Sequence, residues 1–204
     1  MSIEIEEDAR AEETEVVSTR PVPTAHAGAR AEAKALVAAV VDMRLLLIAL
    51  WLGAAVFFSS VVAPSAFAVL RSFHLTNANE IAGTIVSRTL AVVNTCGFLV
   101  GLLLLLSAFL FRSTARRRGA LRAEVISLAL VTILCGVGQW IIAARMLALR
   151  AAMGRPVDEV AQDDPLRTAF NSLHGYSVAA LGLAMLAAAV ALLLIARRAR
   201  STSV

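Results

Sequence analysis

The chain is poor in the residues from which recognisable catalytic and metal sites are built. It has two cysteines, Cys96 and Cys135, both inside apolar stretches, with no Cys-x-x-Cys pair and no histidine at zinc-type spacing. By residue count the two fall at similar depth, which would allow a soft-metal pair. Reading them as small apolar residues of membrane helices is preferred. Lysine is represented by Lys34 alone against abundant Arg and Ala, as in a GC-rich bacterial coding bias. There is no Ser-His-Asp set, no phosphate-cradling glycine loop and no carboxylate pair inside the apolar stretches, so hydrolase, kinase and proton-pump chemistry find no support. The halves of the chain do not repeat, which weakens an inverted-repeat transporter reading.

What the chain has in excess is apolar surface. The hydrophobic fraction is 59% and the mean hydropathy +0.77, against about 45–50% apolar residues in soluble domains. The excess sits in four blocks, each long enough for the roughly 20 helical residues that cross a bilayer. The blocks are uniformly apolar where a soluble core would show amphipathic periods. The fold class expected is all-α: a four-helix transmembrane bundle over residues 30–204, with spans near 45–66, 89–111, 125–146 and 172–196.

Residues 1–29 carry seven acids in the first fifteen positions and no hydrophobic period, and are expected to be a disordered acidic tail. They do not read as a signal peptide, because Ala25-His26-Ala27 precedes the apolar stretch instead of following it. Local signals punctuate the rest. Pro64 is placed to kink the first helix or end its membrane portion. Asn77 with Glu80 resembles a capping box at the start of the second helix. Gly154 with Pro156 reads as a helix stop, and Asp164-Pro165 as N-cap and first helical residue.

Charge sets the expected orientation. The net charge of +4 comes from Arg beside the apolar blocks and carries no nucleic-acid signal. Arg112, Arg116, Arg117, Arg118 and Arg122 lie in one connection, and Arg197, Arg198 and Arg200 close the chain. By the positive-inside rule that side is cytoplasmic and both termini are inside, in the cytoplasmic membrane. Depth counted from these clusters brings residues of all four helices to the outer boundary: Ser59, Ser60 and Pro64, then Asn94 and Thr95, then Gln139, Trp140 and Arg145, then His174, Tyr176 and Ser177. Unpaired in lipid each polar group among them would cost about 1–3 kcal/mol, so these groups are expected to face one another. Helical spacing groups Gly53, Phe57, Ser60, Pro64 and Phe67 on one face and Arg167, Phe170, Asn171, His174 and Ser177 on another. Asn94, Gly97 and Gly101 form a third stripe, whose Gly-x-x-x-Gly permits close helix approach. The bland readings are boundary residues for His174, snorkelling for Arg145 and Arg167, and an aromatic belt for Trp140 and Tyr176.

Leu50–Pro64, followed by Ser65-Ala66-Phe67, resembles the first helix of the transmembrane protein 205-like proteins, domain-of-unknown-function family 4149. The resemblance continues through Ala82-Gly83 and Arg88…Val93-Asn94…Gly97. It returns at Asp164-Pro165-Leu166-Arg167 with Phe170…Leu173-His174…Ser177, covering roughly residues 45–196. It implies a small four-helix membrane protein and no reaction, since that family has no agreed activity. A looser likeness to copper-resistance D-type and related haem-associated membrane proteins rests on the Leu-Trp-x-Gly motif. Those proteins place histidine ligands within their helices, and this chain offers only His174, at a boundary.

The function expected is therefore a non-enzymatic binding or accessory protein of the membrane, with Asn94, Gln139, Arg145, Arg167, Asn171 and His174 as the candidate ligand-binding cluster. The alternatives are a haem- or metal-associated redox protein and a purely structural, oligomer-forming one. No cofactor or metal is assigned. The partners expected are membrane lipid and an anionic small molecule or headgroup, because two Arg near one His favour an anion. Homo-oligomerisation is left open and nucleic acid excluded.

Overall fold

A bilayer offers no water to satisfy free backbone N–H and C=O groups, so long apolar runs resolve as helix. The computed structural model describes residues 25–75, 77–110 and 118–202, and these are helical apart from short connections. The elements are α1 (Ala25–Phe57), α2 (Ala63–Ser72), α3 (Ala78–Leu110), α4 (Arg118–Gly136), α5 (Ala143–Met153) and α6 (Pro165–Thr202). A π-helical turn, Phe58–Val62, joins α1 to α2, and a second, Val137–Ile142, joins α4 to α5. The result is four long helices apolar enough to cross a membrane: Glu32–Ser72, Ala78–Leu110, Gly119–Met153 and Pro165–Arg200. This is the expected all-α architecture. Most of the acidic tail, residues 1–24, lies outside the described residues. The packing below concerns residues 37–204, which form one unit.

The first helix does not stop at Pro64. It continues to Ser72 as a 41-residue rod, about 60 Å at 1.5 Å per residue and so far longer than the hydrocarbon core. A proline inside a helix lacks a donor and crowds the carbonyl four residues back. The π turn falls directly before α2 and takes up this mismatch, so Pro64 sits at the start of α2 and the rod goes on. At the far connections, Gly154 ends α5 in the left-handed conformation at φ +64°. Asp164 Oδ1 accepts the Leu166 N–H at 2.7 Å to cap α6, as its sequence signal indicates.

The core draws on every long helix. Ile48, Trp51, Ala55 and Phe58 meet Val93 and Leu104, then Leu128, Val131 and Cys135, with Leu181, Ala184, Ala188 and Ala191 closing the bundle. The Gly-x-x-x-Gly face works as its spacing implies. A Cβ at Gly97 would lie 2.6 Å from Trp51 and 2.7 Å from Cys135 Sγ. Trp51 Nε1 donates to the Val93 carbonyl at 2.9 Å, so the indole enters the bundle with its one polar atom satisfied. Cys135 is buried here while Cys96 is exposed, so the two thiols do not share a face.

The Arg-rich end is closed by a charged clamp. Glu124 is fully buried and accepts from Arg44 at 2.5 Å and Arg198 at 2.6 Å, tying α1, α4 and α6 together. Arg44 and Arg198 look like orientation marks in the sequence. Only the structure shows that they share one buried carboxylate.

Candidate functional site

The opposite end of the bundle is hollow. A cleft of about 770 Å³ is bounded by α2, the first half of α3, α5 with the turn before it, and the first half of α6. Its polar side chains gather towards the connections: Asn79, Glu80, Arg150, Asp158, Asn171 and His174. Its deeper wall is apolar, formed by Phe58, Leu90, Ala91, Leu181 and Met185, with Gln139, Ser59 and Ser177 between the two zones. Leu147 and Val178 line it and are 70% and 60% exposed, so it opens sideways onto the apolar flank. A smaller hollow of about 330 Å³ between α4 and α6 is lined by Ser127 and six aliphatic side chains; it gathers no polar groups and is set aside.

Arg150 organises the polar end. Its guanidinium stands 3.4 Å from Glu80 Oε1 and 5.2 Å above the Phe170 ring. It occupies space that exists because residue 83 is glycine, where a Cβ would come within 2.8 Å of Nη2. Glu80 thus pairs with a cation on another helix, where the sequence signal suggests a capping box. Asn79 Nδ2 donates to Asp158 Oδ2 at 2.8 Å and ties the start of α3 to the Val157–Glu159 turn.

Of the six candidate residues, the structure brings three to the cleft: Gln139, Asn171 and His174. Asn94 is buried deeper, with its side chain against Gly138. Arg145 is exposed off the cleft. Arg167 turns to the Val160 carbonyl and does not line the cleft either. The two arginines on which an anionic partner was expected do not line the cleft with His174, whereas Arg150 does. Ser59 and Ser60 donate to the carbonyls of Ala55 and Val56 four residues back, at 2.8 and 2.6 Å; Ser59 lines the cleft with Ser177, and Ser60 does not.

The position of Arg145 and the shifted stripe of the first helix share a cause, which does not extend to Arg167 on the unbroken α6. A π turn inserts one residue, and one residue rotates a helix face by about 100°. Before the Phe58–Val62 turn the inward stripe runs one register away from regular spacing: Phe58 is buried and Phe57 is 58% exposed, and Ser59 lines the cleft. After it, Pro64 and Phe67 return to the expected face. The Val137–Ile142 turn does the same to the third helix, so Met146 and Arg150 point inward and Arg145 does not. Proline at 64 was the one available hint of the first turn; the second has no comparable marker.

Gln139 Oε1 is buried without a hydrogen-bond partner. Among the described residues no group of three or more His, Cys, Asp or Glu is placed to hold a metal ion. The arrangement offers hydrogen bonds and one ion pair at the mouth and apolar contact below, the equipment of a binding site.

Fold and cleft together define a class, the small helical protein with four helices suited to crossing a membrane and a cleft lined by polar and apolar side chains. The model of a domain of unknown function, DUF4149, matches residues 46–155. The chain belongs to that family. No curated protein and no solved structure matches it.

Proposed function

We propose that the protein is a non-enzymatic binding or accessory protein of a bacterial cytoplasmic membrane, akin to the transmembrane protein 205-like proteins, that holds one amphiphile in its cleft. The carrying observation is the gradient along that cleft, polar at Glu80, Arg150, Asn171 and His174 and apolar at Phe58, Leu181 and Met185. Its volume of about 770 Å³ falls within the roughly 300–1,000 Å³ of small-molecule sites. With the Arg-rich end in the cytoplasm, as the positive-inside rule assigns it, the cleft faces the outer leaflet. Membrane lipid is then the nearest source of a ligand.

Native mass spectrometry of the protein released from nanodiscs tests this. The wild type retains a lipid-sized adduct. Met185→Trp, which fills the deep wall, loses it, while Leu193→Trp, on the exposed apolar flank, keeps it. Equal retention by both variants would overturn the reading.

The haem-associated reading would draw on His174 and the cysteines. An absorption spectrum of the purified protein without a Soret band removes it. A purely structural role draws on the hydroxyls satisfied within their own helices; it expects cleft substitutions to alter assembly and leave adducts unchanged.

A further inference from the structure

We infer that the cleft selects an amphiphile with a cationic, amine-type headgroup. This rests on the cleft being an amphiphile site and adds the charge of its ligand.

Three fully charged side chains line the cleft, Glu80, Arg150 and Asp158. Arg150 is already engaged by Glu80 at 3.4 Å and by the face of Phe170. Asp158 accepts one hydrogen bond from the neutral Asn79 and makes no ion pair among the described residues. The uncompensated charge at the mouth is thus a carboxylate. Other nearby cations are held elsewhere: Arg167 donates to the Val160 carbonyl and Arg71 Nε to the Phe67 carbonyl, and Arg88 and Arg145 do not line the cleft. The connection that closes this end adds Glu159, Asp163 and Asp164 against Arg155.

An ammonium is a donor without acceptors. It meets an unpaired carboxylate in Asp158, with the Asn171 amide oxygen also on the lining, and gains a charge-assisted hydrogen bond from the first. A phosphate or carboxylate headgroup would instead face Asp158 and would have to compete with Glu80 for Arg150. Below the mouth, Phe58, Leu90, Leu181 and Met185 offer apolar contact to the ligand's hydrocarbon part. The exposed Leu147 and Val178 on the rim let that part enter from the bilayer.

The test uses the full chain in nanodiscs of zwitterionic lipid, with dodecylamine and dodecyl phosphate as probes, bound amphiphile being counted by native mass spectrometry. Dodecylamine is expected to bind about tenfold more tightly than dodecyl phosphate. Asp158→Asn should bring the two probes close to equal, and Met185→Trp should abolish both, with unfolding temperatures recorded to show that each variant is folded. Equal binding of the probes to the wild type, or preference for the phosphate, overturns the charge assignment and leaves the cleft reading standing. Binding of neither probe, or binding untouched by Met185→Trp, overturns the cleft reading itself. A dimer in which a second copy covers the cleft overturns both.

Discussion

At Gly101 a Cβ would lie 2.5 Å from Thr132 Oγ1 and 3.2 Å from the Thr132 backbone nitrogen. The hydroxyl is committed to the Leu128 carbonyl at 2.9 Å, and backbone cannot swing aside. Gly101→Val is therefore expected to destabilise the protein by about 1–3 kcal/mol through overpacking, seen as a lower unfolding temperature in detergent. Gly182→Ala, where nothing lies within 4 Å, should leave that temperature unchanged. This contact was legible in the sequence, because two glycines four apart in an apolar helix have few other uses. Arg150 was not legible. Counting along a helix yields depth reliably, but the direction a side chain faces depends on every residue before it being regularly wound.

That dependence belongs to the elements. Each π turn looks like ordinary helix in sequence, yet it decides that Phe58 and Arg150 face the bundle and Phe57 and Arg145 do not. Glu124 is a second element-scale feature. In sequence it is one acid among arginines at the start of a span; in the fold it is the shared partner of Arg44 and Arg198. Removing one member of a buried charge set leaves the others desolvated and unpaired, at a cost of about 3–5 kcal/mol. Glu124→Gln is expected to unfold at markedly lower temperature. The triple replacement Arg44→Met, Glu124→Leu, Arg198→Met should recover most of the loss, because apolar packing can replace a buried ion set. A Glu124→Gln protein as stable as the wild type would show that the clamp contributes nothing to stability.

For the whole molecule, the Arg bias predicts both termini in the cytoplasm. In a Cys96→Ala background, Asp163→Cys should react with a membrane-impermeant maleimide on intact cells. Arg200→Cys should react only after permeabilisation, and the reverse pattern would invert the topology. Cys135 is buried and should stay silent in both assays. Composition and run length alone determined that the described residues are all-helical and that they hold four helices long and apolar enough to cross a membrane. These follow from hydrophobic transfer and backbone hydrogen bonding, which act locally along the chain. The tertiary structure decided which polar residues meet. Two π turns reset the facing of their helices, and the charges at either end find partners only across helices: Arg150 with Glu80 and Phe170, and Arg44 and Arg198 with Glu124. The ion pairs among them join residues 70 to 80 positions apart, and no local pattern specifies contacts at that separation.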